Sequence, residues 1–506
     1  MKKSIKILSI TLCALGFCFL FGSCKAKDQQ MYNHYQMEIF YDDTAKSLTG
    51  KETVTYINQS DSVLDNLCFH LYPSAFRQGS KQSVVSLLNY TSCFYNGTSY
   101  GGITVDKVTV DVNDAKFSIC GEDENILMVE LPKKLSPQES IILHIEFSVT
   151  LPNANHRFGY GENTINIANF YPIACVFEDG KFMTKGYNCN GDPFYSQSAN
   201  YDVTINYPSN LTIAHTGKLV EKQEYKNKIQ NGHSYSEQDY TKSVITAQRV
   251  RDFAFVLSSK FKTAQASVDG TQITYFFYND ENFEKSLQTA VDSVKTFNKL
   301  FGKYAYDTLA VAKTNFVHGG MEYPNLVYIA DSLDNYTDYQ NVIVHEIAHQ
   351  WWYNMVGSNA FDNGWQDEGL TDYSTAIFYE HNPQYNRSKD NIILNGIRNY
   401  AFFTDVYSSV YGKLDTSMTR ALDEYPTDPE YVYIAYVKSM LMFDSLRAFM
   451  GDKDFFEGAR DYFQTYCFKI ASPQDMIACF QKHSKKDVEA FFDSWLGGKV
   501  LIISAS

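Results

Sequence analysis

The chain has 506 residues, about 480 of them beyond a leader-like start, too many for one hydrophobic core and enough for two or three domains. Hydrophobic residues make up 44%, charged residues 20% and aromatics 15%, enough apolar side chain to fill real cores, which excludes a disordered chain and a small disulfide-stapled module. With 58 acidic against 44 basic residues, the net charge of -14 leaves no basic stripe to neutralise phosphates, so no nucleic-acid partner is expected.

In chain order, Lys2, Lys3 and Lys6 precede an apolar run from Ile7 to Phe21, and Gly22, Ser23 and Cys24 follow. A basic start, an apolar stretch and small residues read as a signal peptide over residues 1–23. The run of 15 residues is shorter than the roughly 20 that span a bilayer. Leu20-Phe21-Gly22-Ser23-Cys24 resembles a bacterial lipobox, with Phe21 where that pattern prefers a smaller residue. The resemblance implies a lipid on Cys24, a linker over 24–31 and an exported cell-envelope lipoprotein on the outer face of a bacterial membrane; ordinary cleavage and secretion is the alternative. Seven cysteines follow Cys24 without any C-x-x-C spacing, so free, mostly buried thiols are expected.

From 32 to 264 short runs of alternating apolar residues are broken by Asn, Asp, Gly and Pro. The runs Thr53–Ile57, Ile103–Val112, Ile126–Leu131, Ile141–Leu151, Tyr201–Tyr207 and Ser243–Ser258 predict strands of an all-β domain. Over 265–506 the period changes. Glu281–Leu300 predicts a helix, Thr308–Phe316 and Leu326–Ala330 two strands, and Asp338–Met355, Gln366–Glu380, Tyr433–Met450, Lys453–Tyr466 and Asp487–Leu496 further helices. The second half is therefore mostly α with a small sheet at its start.

The sharpest local signal is His345-Glu346-Ile347-Ala348-His349, inside the predicted helix. Residues four apart lie on one face of a helix, so both imidazoles can converge on one ion, while Glu346 sits where a general base for activated water belongs. Glu368 follows His349 by 19 residues and supplies a third ligand; two histidines and a glutamate with one open position make a catalytic rather than a structural zinc arrangement. Asp372, one turn further on, is positioned to hydrogen-bond a ligand imidazole. Read without any family, Gly319-Gly320 is a turn and Glu322 a solvated residue.

His345-Glu346-x-x-His349 with Glu368 after eighteen intervening residues, preceded by Gly319-Gly320-Met321-Glu322-Tyr323-Pro324, resembles the zinc aminopeptidase family that includes alanyl aminopeptidase and leukotriene hydrolase, peptidase family M1. Gly191-Asp192-Pro193-Phe194-Tyr195-Ser196 with Asp202-Val203-Thr204, and Val250-Arg251-Asp252-Phe253-Ala254, are similar to β-domain stretches of bacterial members. Tyr436-Val437-Lys438-Ser439 resembles the family's Tyr-x-Lys-Gly, with Ser439 in place of glycine.

The resemblance implies a saddle-like β-domain followed by a thermolysin-like α+β catalytic domain, one zinc ion per chain, and peptides with a free N-terminus as substrates. It implies that the edge segment Gly319, Gly320 and Met321 contacts the peptide backbone, that Glu322 pairs with its α-amine, and that Tyr436 stabilises the tetrahedral oxyanion. Tyr323 stands where the family has asparagine. Two other readings stay open: an H-E-x-x-H endopeptidase, and a non-catalytic peptide-binding surface lipoprotein. The β-domain and the catalytic domain together account for nearly all of the length, so the large helical domain of longer family members is expected to be absent.

Overall fold

The computed structural model describes residues 31–231 and 234–502. The predicted signal peptide, Cys24 and the linker up to residue 30 lie outside the described residues.

Alternation of side chains builds the first half. In Asn33–Asp42 the residues Tyr35, Met37, Ile39 and Tyr41 are buried while those between them are not. Ser140–Thr150 repeats the pattern with Ile141, Leu143, Ile145, Phe147 and Val149. One face of each strand thus goes to the core. These strands lie in an eight-stranded sheet of order Lys218–Asn231, Ser234–Val250, Ala199–Pro208, Asn33–Asp42, Ser47–Ile57, Ser140–Thr150, Gly102–Val110, Asn113–Asp114. Asn33–Asp42 pairs in parallel with Ala199–Pro208 (Tyr35 opposite Tyr201) and antiparallel with Ser47–Ile57. Two four-stranded sheets complete a core shared across this half.

The predicted strand Ser243–Ser258 is two strands, Ser234–Val250 and Phe255–Ser258. The break has a cause: Arg251 leaves the sheet and donates to three backbone carbonyls, Ser196 at 2.9 Å, Tyr353 at 2.7 Å and Lys469 at 2.5 Å. The long hairpin Lys218–Asn231 with Ser234–Val250 was not predicted in its outer part, because residues 218–242 are largely polar and carry no apolar alternation.

In the second half a five-stranded sheet runs Lys262–Val268, Thr271–Phe277, Thr308–Thr314, Leu326–Ala330, Gly320–Met321. Lys262–Val268 straddles the 264/265 division drawn from the sequence. Helices follow, including Phe283–Leu300, Tyr336–Ala348, Ala360–His381, Lys389–Tyr411 and Ser439–Met450. They enclose a second core around Trp351, Trp352, Trp365, Phe378 and Phe443, all under 2% exposed. The helix Lys389–Tyr411 escaped prediction; it leaves Leu394, Phe402, Val406 and Val410 exposed, so its pattern does not follow a buried stripe. All seven cysteines among the described residues are free, four of them buried.

Candidate active site

The helix Tyr336–Ala348 opens at Asn335, whose side chain accepts from the Thr337 N–H at 2.9 Å, and buries Ile343, Val344 and Ile347. It ends at Ala348, earlier than the predicted Met355. His349 is its C-cap and keeps helical angles (φ -61, ψ -17), so the one-turn relation to His345 survives. The chain then turns back, with Asn354 N–H donating to the His349 carbonyl at 3.1 Å. That turn brings the Trp352 carbonyl 3.0 Å from His349 Nδ1. Glu368 comes from Ala360–His381, which is broken at Asn363 (φ -142, ψ 49) and runs on through Thr371 and Asp372.

Three donor atoms meet here. His345 Nε2 lies 3.1 Å from His349 Nε2 and 3.4 Å from Glu368 Oε2, and His349 Nε2 lies 3.1 Å from the same oxygen. Tetrahedral zinc bonds of about 2.0–2.1 Å place neighbouring donors about 3.3 Å apart, so the spacing fits. The tautomers fit as well. His345 Nδ1 is 2.9 Å from Asp372 Oδ1 and His349 Nδ1 faces a carbonyl that can only accept, so in the neutral rings Nδ1 carries the proton and both Nε2 lone pairs face Glu368. Asp372 therefore sits where the sequence put it. Among the described residues no other group of three or more His, Cys, Asp or Glu side chains is spaced to hold a metal.

The electrostatics point the same way. Burial disfavours an imidazolium at His349, yet the Glu368 and Glu322 carboxylates outweigh it and hold the pKa up to about 10. Burial likewise opposes charge at Glu368, but His349 and His345 pull its pKa down to about 2. Such a pocket attracts positive charge, and a divalent ion competes there with protons. Glu346, 5% exposed, has its carboxyl pushed up to about 7 by burial, against the pull of the two histidines. That value suits a group that takes and returns a proton near neutrality.

Gly320 and Met321 form the edge strand, antiparallel to Leu326–Ala330, and no other described strand pairs with its outer side. Gly320 packs directly on the helix Tyr336–Ala348: a Cβ there would lie 2.3 Å from Glu346 Oε1. Met321 turns its side chain into the first core, leaving its backbone for any ligand, while Gly319 is exposed at the cleft. Glu322 is 3% exposed, its carboxyl has no hydrogen-bonding partner among the described residues, and burial raises its pKa. Tyr323 is buried away from the cleft, its hydroxyl donating to Asn169 Oδ1 at 2.7 Å, so this departure from the family pattern ties the edge strand to the β-rich half.

Tyr436 lies in a π-helical stretch, Val432–Lys438, a widened turn frequent at functional sites. Its hydroxyl donates to Glu368 Oε1 at 2.5 Å. Ser439 donates to the Ile434 carbonyl at 3.1 Å, and Gly369 gives it room: a Cβ on Gly369 would come within 2.2 Å of Ser439 Cβ. The open cleft is about 580 Å³. Its first-half wall includes Leu88, Arg157 and Asp192, which sequence reasoning did not single out as site residues; Asp192 lay inside a quoted similar stretch, but nothing in its neighbours marked it.

Residues 283–495 match the Peptidase family M1 domain. The chain is 22% identical over 430 residues to aminopeptidase N of Lactococcus lactis subsp. lactis, covering 78% of this chain and 46% of that protein. It is 26% identical over 165 residues to probable aminopeptidase 2 of Sulfurisphaera tokodaii, 31% of this chain and 19% of that one. The chain thus spans less than half the length of these relatives. Among solved structures, the M1 zinc metallopeptidase from Deinococcus radiodurans superposes with a TM-score of 0.63 at 15% identity, covering 93% of this chain and 96% of that one. A mutant of it bound to a Tyr-Ser-Ala substrate gives 0.62 at 14%, covering 94% and 96%. At this identity the likeness establishes the fold: a β-rich half followed by a helical half.

Proposed function

We propose that this chain, which carries a peptidase family M1 domain over residues 283–495, is a zinc-dependent aminopeptidase. The observation that carries the reading is the pairing of a metal-shaped donor triad with a buried carboxylate, Glu322, that has no hydrogen-bonding partner among the described residues. His345, His349 and Glu368 would hold the ion. When bound, zinc supplies Lewis acidity, polarising the scissile carbonyl and making a water nucleophile available near neutral pH.

The chain's own groups do the rest. Glu322 accepts from the substrate's α-ammonium, so only a free N-terminus fills the site without leaving a buried carboxylate unpaired. The edge Gly319–Met321 pairs with the peptide backbone and aligns it beside the catalytic helix. Glu346 takes the water proton on its carboxylate and returns it to the leaving amine. Tyr436, whose hydroxyl donates to Glu368 Oε1 in the structure, turns that one O–H from the carboxylate to the developing oxyanion.

The test compares one peptide with a free amine and N-acetylated, with zinc content and chelator sensitivity measured in parallel. Chelator-sensitive hydrolysis of the free peptide alone is expected. Equal cleavage of both forms would replace this reading with the endopeptidase, and bound zinc without hydrolysis across a varied peptide set would replace it with the peptide-binding protein.

We also propose export and anchoring through a lipid on Cys24. Support comes from the residues around Lys2 to Cys24, which lie outside the described structure; no helix among the described residues is long and apolar enough to cross a membrane. An unmodified mature N-terminus downstream of Cys24 in mass spectra would refute it.

A further inference from the structure

The carboxyl of Glu322 has no hydrogen-bonding partner among the described residues, so nothing at its own tip holds it in place. Its position is set from behind, by whatever fixes the backbone at 322 and 323. One clamp comes from the helical half. Asn354 Nδ2 donates to the Glu322 carbonyl at 2.6 Å and to the His349 carbonyl at 3.2 Å, and Gln350 Nε2 donates to the Tyr323 carbonyl at 3.1 Å. Asn354 and Gln350 are fully buried, so these bonds are shielded from water. They tie the Glu322 segment to the turn that follows the two histidines.

The second clamp comes from the β-rich half and acts on the Tyr323 side chain. The Tyr323 hydroxyl donates to Asn169 Oδ1 at 2.7 Å, and Asn169 Nδ2 donates to Asp252 Oδ2 at 2.5 Å. Asp252 Oδ1 accepts from the Tyr171 hydroxyl at 2.8 Å and from the Phe253 N–H at 2.7 Å. All four side chains are buried, so a broken link leaves a polar atom without a partner in a dry place. The far end fixes the polarity of this chain: a carboxylate can only accept, so Asp252 takes the amide N–H of Asn169 and turns the amide oxygen toward Tyr323. Asn169 sits at φ 51°, a left-handed conformation that asparagine holds at less cost than most residues.

We propose that Tyr323, held by Asn169 and Asp252, is a positioning residue for Glu322: through it the β-rich half sets where the substrate's α-ammonium is taken. This rests on the aminopeptidase reading and goes beyond it by giving a role to the tyrosine that stands in the family's asparagine position.

The test uses Tyr323→Phe, which deletes one hydroxyl and keeps the ring. L-leucine hydroxamate and 4-methylpentanohydroxamic acid differ only in the α-amine. Competed against an aminoacyl p-nitroanilide, the ratio of their inhibition constants reads the amine's share of binding. In the variant the advantage of the amine is expected to fall about tenfold, with KM rising more than kcat falls and zinc content unchanged. Asp252→Asn breaks the same chain at its other end and is expected to cause the same loss. Because both act through one chain, the double variant loses no more than either alone. If Tyr323→Phe does not fold, Asp252→Asn is read by the same ratio. A folded variant that keeps the wild-type ratio, or one that weakens both hydroxamates alike, overturns the positioning role. Losses that add in the double variant overturn the single chain from Asp252 to Tyr323. A wild-type protein that gains nothing from the amine overturns this proposal together with the aminopeptidase reading.

Discussion

A single methyl group at Gly320 tests whether the edge strand and the helix Tyr336–Ala348 are fitted to each other for chemistry or merely for packing. The Cβ of Gly320→Ala would lie 2.3 Å from Glu346 Oε1 and 2.5 Å from its Cδ. An ordinary contact begins near 3.4 Å, so the carboxyl must retreat by about 1.1 Å. The clash falls on the Glu346 side chain, Cγ at 2.5 Å included, and on no backbone atom, so it yields at modest cost to folding. Catalysis is less forgiving, since a displacement of about 1 Å can cost about 100-fold in rate. Gly320→Ala is therefore expected to melt close to wild type and keep its zinc while kcat falls about 100-fold. Gly319→Ala is the control: its nearest neighbour would be Val342 Cγ2 at 3.5 Å, and near-normal kcat is expected. Steady-state kinetics on one aminoacyl substrate, with metal analysis, reads both. A Gly320→Ala enzyme within about threefold of wild type would refute the argument that this glycine sets the position of Glu346.

Glu346→Gln is expected to bind zinc normally and lose most of its turnover, whereas His349→Ala loses the ion itself; metal analysis beside kcat separates the two. Asp372→Asn removes the acceptor that orients His345, 2.9 Å away, and should weaken zinc affinity about 10- to 100-fold in chelator competition. Unchanged affinity would reduce Asp372 to a solvated helix residue. Glu52 is 1% exposed, neither carboxyl oxygen has a partner among the described residues, and burial raises its pKa well above the usual 4.5. A raised carboxyl pKa in the folded state gives stability that is full below the unfolded value and lost as pH rises toward the folded one. Glu52→Gln should therefore melt like wild type near pH 4.5 and above it at about pH 8; parallel melting curves across that range would count against the account.

The donor triad that could hold a metal was legible because its geometry is local. His345 and His349 need only one turn of helix, and that turn survives although the helix stops at Ala348. The stop itself was not legible, since it depends on Asn354 bonding back to His349 and onward to the Glu322 carbonyl. Tyr436 could be picked from 38 tyrosines only by resemblance; what aims it is a π-helical register that no apolar pattern encodes. The replacement of the family glycine by Ser439 looked disruptive in sequence and is absorbed by Gly369 on the facing helix. Arg157 and Asp192 reach the cleft through long-range packing of the β-rich half, which leaves no trace in nearby spacing.

Arg251 holds together more than a corner of the fold. Its guanidinium takes carbonyls at 196, 353 and 469, and a Cβ on Gly357 would lie 2.0 Å from its Cζ, so there is no slack around it. Tyr353 adds a bond to the Phe194 carbonyl at 3.2 Å, and Asn190 one to that of Tyr425 at 2.9 Å. To hinge apart, the two halves would have to strip a buried cation of its acceptors, at a cost no peptide's arrival repays. The cleft is thus a gap of fixed calibre, gauged once when the chain folds. On the aminopeptidase reading proposed above, such a gap would take what is already thin, a loose peptide end, and turn away the same sequence held inside a folded protein.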